Sequence, residues 1–380
     1  MSVARLLFVL LVGIVGVTLS GCGGQPAAPP TAGVTTAVAN QPSDAELQRK
    51  LDTVLDFTFE RKLDANVNAA WQVVHGIMAF GPAYEVRVDG QVRPALDWLL
   101  KGGTLRGWTL ENGDHGVKAI LDPGTKTGQG HPDQWLGYLS HCQLAPEQPI
   151  VVQGQTRQIQ DLLDQARWDV HNGQECSWTL MSLSTYLPAS EKWQNKQGEE
   201  WDLERIIQLE TDQDVNTSAC GGTHRMYGIA LGLQHYLEQN PGVKLEGGWL
   251  AAQKHVQAQA ENARKFQQPT GAFSTNYFAR AGNSPDLGAQ LGATGHTLEF
   301  LTVALDDEQL KQPWVTNAVL FLTTLLEQTR NEDLECGALY HAAHGLHLYR
   351  ERRFGPREYV GMSAPAKAEL TSADPAPQPE

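Results

Sequence analysis

Positive charge is scarce in this 380-residue chain: 29 Lys and Arg stand against 43 Asp and Glu, for a net charge of −14. That balance excludes nucleic acid as an expected partner, because holding phosphates takes clustered Lys and Arg that release counterions. Long apolar runs are scarce as well. Beyond the N-terminal segment, His, Gln or a charge interrupts every stretch before it reaches the ~20 apolar residues that a membrane-spanning helix needs. Cysteine is sparse, and Cys142, Cys176, Cys220 and Cys336 stand far apart. They form no compact Cys/His signature, so no metal site is expected. Aromatic residues are 8% of the chain, few for a cavity that folds a large apolar substrate.

What is present begins at the N-terminus, where Arg5 precedes an apolar run from Leu6 to Val17 and Leu19-Ser20-Gly21-Cys22 follows. This resembles the signal peptide and lipobox of bacterial lipoproteins. The resemblance implies that residues 1–22 are a targeting segment, that a lipid is attached to Cys22, and that cleavage leaves Cys22 as the new N-terminus. Residues 23–42, rich in Gly, Ala, Pro and Thr, cannot bury enough apolar surface to order themselves and read as a flexible tether. Residues 43–353 read as the folded domain. Residues 354–380 lose all periodicity, end in Ala-Pro-rich sequence, and read as a disordered tail. The expected location is the cell envelope, with the protein anchored to a membrane through Cys22 and facing the periplasm or the exterior.

The folded part carries a twelve-helix rhythm. Leu47, Leu51, Val54, Leu55 and Phe59 fall three or four apart, as on one face of an outer helix. Leu96 to Leu100, Ile159 to Val170, Leu203 to Leu209, Trp249 to Phe266 and Trp314 to Leu326 repeat that role. Each is followed by a more apolar helix containing small residues, with starts expected near Trp71, Pro132, Ser177, Gly222, Thr297 and Ala338. Tyr227, Ala230, Gly232, Leu233 and Tyr236 recur as Tyr340, Ala343, Gly345, Leu346 and Tyr349 at a fixed offset of 113 residues. Repeated helical units predict an all-α fold, an (α/α)6 toroid of six hairpins, with an open solenoid as the alternative. Long Gly-rich loops are expected at Gly102 to Gly130 and at Gln267 to Leu291.

On this pattern the chain resembles the helical toroids of the terpenoid cyclase and protein prenyltransferase superfamily, over roughly Asp44 to Arg353. Gln267-Gln268-Pro269-Thr270-Gly271-Ala272-Phe273-Ser274 resembles a degenerate QW motif, in which a Gln, a turn Gly and an aromatic ring tie an outer helix to the next inner one. The stretches Cys220 to Arg225 and Glu335 to His341 are similar to planctomycete-type exported proteins of unassigned function. The cyclase acid motif Asp-x-Asp-Asp is missing, since Asp212-Gln213-Asp214-Val215 supplies only two carboxylates. The prenyltransferase Asp-x-Cys pair is missing too. Neither activity transfers by motif.

In rings of this kind the N-terminal ends of inner helices point into a central cup, where free N–H groups favour anions and polarised oxygens. His131, Glu175, Asp214, Cys220, His224, His296, Glu299, Cys336 and His341 fall at or near such ends. Taken singly, His224, His296 and His341 read as capping or satisfied core groups; recurring at equivalent places, they point to a shared cavity. Imidazoles beside carboxylates suit general acid–base chemistry near neutral pH. The candidate catalytic residues are therefore His224, His296, His341, Asp214, Glu175 and Glu299. His131, Trp178, Arg225 and Tyr277 are candidate ligand-binding residues. Cys142, Cys176, Cys220 and Cys336 read as buried thiols, with a disulfide as the alternative that export permits.

The expected function is a membrane-anchored envelope lipoprotein whose cup binds a carbohydrate or other hydroxyl-rich ligand, cleavage being the reaction these acid–base groups would serve. A non-catalytic scaffold for another envelope protein is one alternative. A terpenoid-processing enzyme without the usual acid motif is the other. No cofactor is specified by the sequence.

Overall fold

The computed structural model describes residues 41–122 and 125–361. Cys22 and the segments read as signal and tether lie outside the described residues. The chain folds as alternating amphipathic and fully buried helices, joined in its first half by short hairpins.

The first helix, α1 (Asp44–Phe59), starts where the Ser43 hydroxyl accepts from the Glu46 N–H, and it buries the Leu47, Leu51, Val54, Leu55 and Phe59 face. It leads into α2 (Ala70–Phe80), which is buried from Val73 onward. The same pairing of a half-buried helix with a buried one recurs. α3 (Ala95–Leu100) precedes α4 (Gln134–His141), and α5 (Ile159–Asp169) precedes α6 (Ser177–Tyr186). Next come α7 (Leu203–Thr211) with α8 (Thr223–Gln239) and α9 (Gly247–Lys265) with α10 (Leu287–Ala304). A single turn, α11 (Asp307–Leu310), separates the latter pair from α12 (Pro313–Gln328) and α13 (Cys336–Phe354).

The buried helices contact one another in chain order: α2 with α4, α4 with α6, α6 with α8, α8 with α10 and α10 with α13. The last of them, α13, packs against the first, α2. Close approach depends on small residues, most visibly between α10 and α13. A Cβ on Gly295 would stand 2.6 Å from Ala342 backbone atoms, and one on Gly345 would stand 3.0 Å from the Gly295 carbonyl oxygen. Gly232, the counterpart of Gly345 at the 113-residue offset, faces the Leu180 side chain.

An all-α fold is corrected by four small sheets among the described residues, three antiparallel and one mixed. Strands β1 (Leu63–Asp64), β2 (Glu85–Val88) and β3 (Gln91–Pro94) form one; β4 (Trp108–Asn112) with β5 (Val117–Leu121) forms another. Two more are β6 (Pro149–Val152) with β7 (Gln155–Gln158), and β8 (Trp193–Gln194) with β9 (Glu200–Trp201). β1 alone pairs in parallel, with β2. Asp89-Gly90 and Gln153-Gly154 all adopt positive φ, the requirement of the two-residue turn that best matches strand twist. The segment from Gly102 to Gly130 is thus partly the β4–β5 hairpin rather than an unstructured loop.

Five of the six buried helices start within two residues of the expected places. α10 starts at Leu287, ten residues before Thr297, because Asp286 caps it by accepting from the Ala289 N–H at 2.6 Å. Gly288, Gly292 and Gly295 made this stretch unlike a helix in sequence, whereas here Gly295 lets α10 approach the backbone of α13. At the other end, the segment read as a tail is placed and packed as far as Gly361. Tyr359 lies 5.1 Å from the rings of Phe59 and Phe80, and Arg357 pairs with Asp52 at 2.7 Å. Gln267 donates to the carbonyls of Gly271 and Trp314, both at 2.8 Å, and the Phe273 N–H donates to the Thr294 hydroxyl on α10 at 3.2 Å, so the QW-like segment ties α9 to the buried helix α10, as expected, and to the start of α12 as well.

Candidate functional site

Four buried helices, far apart in sequence, each bring one histidine to a common centre: His75 on α2, His224 on α8, His296 on α10 and His341 on α13. The rings of His296 and His341 stack with centroids 3.6 Å apart. His224 stands 5.1 Å from His296 and 5.4 Å from His341, and His131 lies 5.4 Å from His224. These rings line a cavity of about 330 Å³ whose wall also includes Trp71, Cys220 and Tyr277.

Hydrogen bonds fix several of the rings. Glu299, one turn along from His296, accepts from His341 Nδ1 and from His344 Nδ1, each at 2.8 Å. A carboxylate that accepts from both rings makes each Nδ1 the protonated nitrogen. His75 Nδ1 donates to the Trp71 carbonyl, and His75 Nε2 lies 3.0 Å from the Tyr138 hydroxyl. Gln134 donates to that hydroxyl oxygen at 2.8 Å, which leaves the phenol proton for His75. His296 Nδ1 donates to the Gly292 carbonyl at 2.8 Å. Neither ring nitrogen of His224, nor Nε2 of His296, has a hydrogen-bond partner among the described residues. Buried polar atoms left in this state are uncommon in native proteins.

Burial dominates the electrostatics. It lowers His75 to about 4, against the smaller upward pull of the Trp71 carbonyl. It takes His224 and His341 well below the ordinary histidine value, with neighbouring imidazoles adding to the effect. His296 and His344 are lowered for the same first reason, with Glu299 pulling the other way. At neutral pH these rings are uncharged bases. The Cys220 thiol is pushed up to about 11, by burial and then by Glu175, Glu299 and Glu335, so it is not an ionised nucleophile at neutral pH.

At the edge of the cup, His131 and Glu175 form a pair at 2.8 Å. Burial pushes the Glu175 carboxyl up, but the His131 hydrogen bond and charge, with Arg225 and Ser177, hold it below the usual carboxylate range. The structure thus gathers His131, His224, His296, His341 and Tyr277 around one cavity; Glu175 and Glu299 do not line it and act from behind, through His131 and His341 respectively.

Three candidates fall elsewhere. Asp214 is exposed and caps a short turn by accepting from the Asn216 N–H at 3.0 Å; its polar neighbours suggested a site, but it does not line the cup. Arg225 is a structural strut, because its Nε donates at 3.0 Å to Glu210, which also accepts from the Cys176 N–H and the Ser177 hydroxyl. Trp178 is 2% exposed and packs its ring edge-on against Tyr138 at 4.8 Å and beside His224 at 5.0 Å, so it supports the cup from within the core. Cys142, Cys176, Cys220 and Cys336 are all free thiols, but only Cys176 and Cys336 are buried as expected; Cys142 is partly buried and Cys220, on the turn before α8, is exposed.

His75, Tyr138 and Trp71 join the site without having been singled out from sequence. One signal was available: His75 and His341 each stand five residues after the first residue of a buried helix. Compared with known proteins, the chain matches no family model, no curated protein and no solved structure.

Proposed function

We propose that this is an envelope lipoprotein, tethered through Cys22, whose six helical hairpins close as an (α/α)6 toroid around a cup that binds a small hydroxyl-rich ligand such as a sugar unit. The cyclic order of helix neighbours supports the ring. The observation that carries the ligand reading is a buried imidazole, His224, with both nitrogens unpartnered in a cavity of about 330 Å³. A cavity of that size is near the lower end for small-molecule sites, roughly 300–1,000 Å³. Neutral imidazole nitrogens accept hydroxyl protons, while Trp71 and Tyr277 offer ring faces to a pyranose. The His131–Glu175 pair supplies an acid–base couple at the edge of the same space.

The test is a thermal-shift screen of the purified protein against mono- and oligosaccharides, with a chelator present throughout. A dose-dependent rise in Tm that is lost in His224→Ala and in His296→Ala is expected. A rise that both variants retain, or no rise with any saccharide, rejects the reading.

A further inference from the structure

The cup wall holds a donor set that sugar binding does not require. Cys220 Sγ, a ring nitrogen of His224 and a ring nitrogen of His296 all lie within 4.8 Å of one another. His296 Nδ1 is committed to the Gly292 carbonyl, so its Nε2 carries a lone pair with no partner. His224 is 6% exposed and has both nitrogens unpartnered. One sulfur and two imidazole nitrogens form a set that favours borderline-soft divalent ions over magnesium or calcium.

The backbone beneath Cys220 is built for this placement. Cys220, Gly221 and Gly222 take φ of 49°, 62° and 79° in succession, just before α8 begins. A non-glycine residue there is uncommon and costs energy, and such residues concentrate at functional sites. Tyr277 packs its ring against Gly221, where a Cβ would stand 2.0 Å from the ring. The turn therefore sets the thiol four residues ahead of His224, across the start of the helix.

We propose that Cys220, His224 and His296 bind one zinc-type divalent ion, the Cys220 thiol releasing its proton to solvent as the sulfur coordinates, with the fourth position open to the cup. Donor separations in tetrahedral zinc sites are about 3.3–3.7 Å, from Zn–N and Zn–S bond lengths of roughly 2.0–2.3 Å. The three donors close on the ion by roughly 1 Å at most. Rotation of the His224 ring, which no hydrogen bond restrains, provides that movement. The Gly292 carbonyl acts as the outer partner that orients His296. Three protein ligands and one open position is the pattern of zinc sites that take water or a ligand oxygen, as distinct from closed structural sites. Ordinary sequence signatures miss it because the ligands come from the turn before α8, from α8 itself and from α10, with α9 intervening.

The inference stands on donor geometry and does not rest on saccharide binding. Its test uses the purified full chain, stripped with chelator and titrated with Zn2+ by calorimetry and with Co2+ by absorption spectroscopy. One equivalent of each metal is expected, with a thiolate-to-cobalt charge-transfer band that Cys220→Ser abolishes. His224→Ala and His296→Gln are expected to weaken Zn2+ binding by about tenfold or more, while His347→Ala leaves it unchanged. Far-UV circular dichroism identifies any variant that fails to fold, and the remaining variants then decide. Absence of stoichiometric binding to the wild-type chain, or a charge-transfer band that survives Cys220→Ser, overturns the proposal. Because the saccharide screen runs with chelator and this titration runs without saccharide, either can fail alone.

Discussion

His75 and His341 bring their Nε2 atoms to 3.1 Å across 266 residues of sequence. Each ring's Nδ1 is the protonated nitrogen, held by the Trp71 carbonyl in one case and by Glu299 in the other. In neutral rings neither Nε2 carries a proton for the other, and the His75 lone pair is already engaged by the Tyr138 hydroxyl at 3.0 Å. A hydrogen bond between them needs one added proton, and burial opposes that charge.

Burial sets the direction of acid sensitivity. His75 falls from 6.5 to about 4 on folding, so between those values the unfolded chain binds more protons than the folded one. Its contribution is complete above pH 6.5 and is lost as the pH falls through about 4, a change of about 3 kcal/mol. His75→Gln keeps hydrogen-bonding capacity without titrating. Denaturant midpoints from pH 7.5 to 4 should fall less steeply for His75→Gln than for the wild type; parallel slopes contradict the assignment.

Glu299 is the shared acceptor for two imidazoles. Glu299→Gln replaces one acceptor oxygen by a donor and leaves one Nδ1–H without its partner, so a loss of about 1–3 kcal/mol is expected. Urea unfolding measures it. An unchanged midpoint would mean that the rings find other acceptors.

The contact between α10 and α13 predicts a contrast between glycines three residues apart. Gly295→Ala drives a Cβ into Ala342 backbone and should cost about 1–3 kcal/mol, since backbone cannot step aside. Gly292→Ala meets Ala338 at 3.5 Å, an ordinary contact, and gains helix propensity of about 1 kcal/mol. Thermal unfolding of the two variants should shift in opposite directions; equal shifts would show that the helices are free to separate.

Arg225 and Glu210 are 7% and 0% exposed. Arg225→Met strands the Glu210 charge and should cost about 3–5 kcal/mol, part of which Arg225→Met with Glu210→Gln restores. Chemical denaturation of the single and double variants tests this, and a double variant no more stable than the single one argues against an ion-pair origin.

The sequence made the helices legible because burial imposes its period on Leu47, Leu51 and Leu55, or on Ile206 and Ile207, wherever one face is solvated. α10 resisted that reading: it is buried on all sides from Leu291 to Thr302, so no face is marked, and its glycines mimic a loop. The hairpins were written more faintly. Val88, Gly90, Gln91, Arg93, Asp97 and Leu99 recur as Val152, Gly154, Gln155, Arg157, Asp161 and Leu163 at an offset of 64, marking a strand, a tight turn, a strand and an outer helix each time. Among site residues, His224 and His341 were visible as imidazoles near helix starts, whereas His296 was reached through a misplaced start and lies in the middle of α10. Arg225 misled because a charge beside a histidine looks alike in sequence whether it faces a cavity or Glu210. His75 stayed hidden because its partner is His341, and no local pattern reports a contact made by the far end of the chain.

Arg350 reaches Asp52 at 2.9 Å, and Arg353 reaches Asp44 at 2.7 Å, which fastens α13 to α1 across 298 and 309 residues respectively. Contacts of such long separation are costly in loop entropy and form late. A nascent or clipped polypeptide that lacks α13 holds His75 without His341 and His296 without its stacked neighbour. Competence is then all or nothing: a truncated fragment carries most of the donors but no chamber to hold them in.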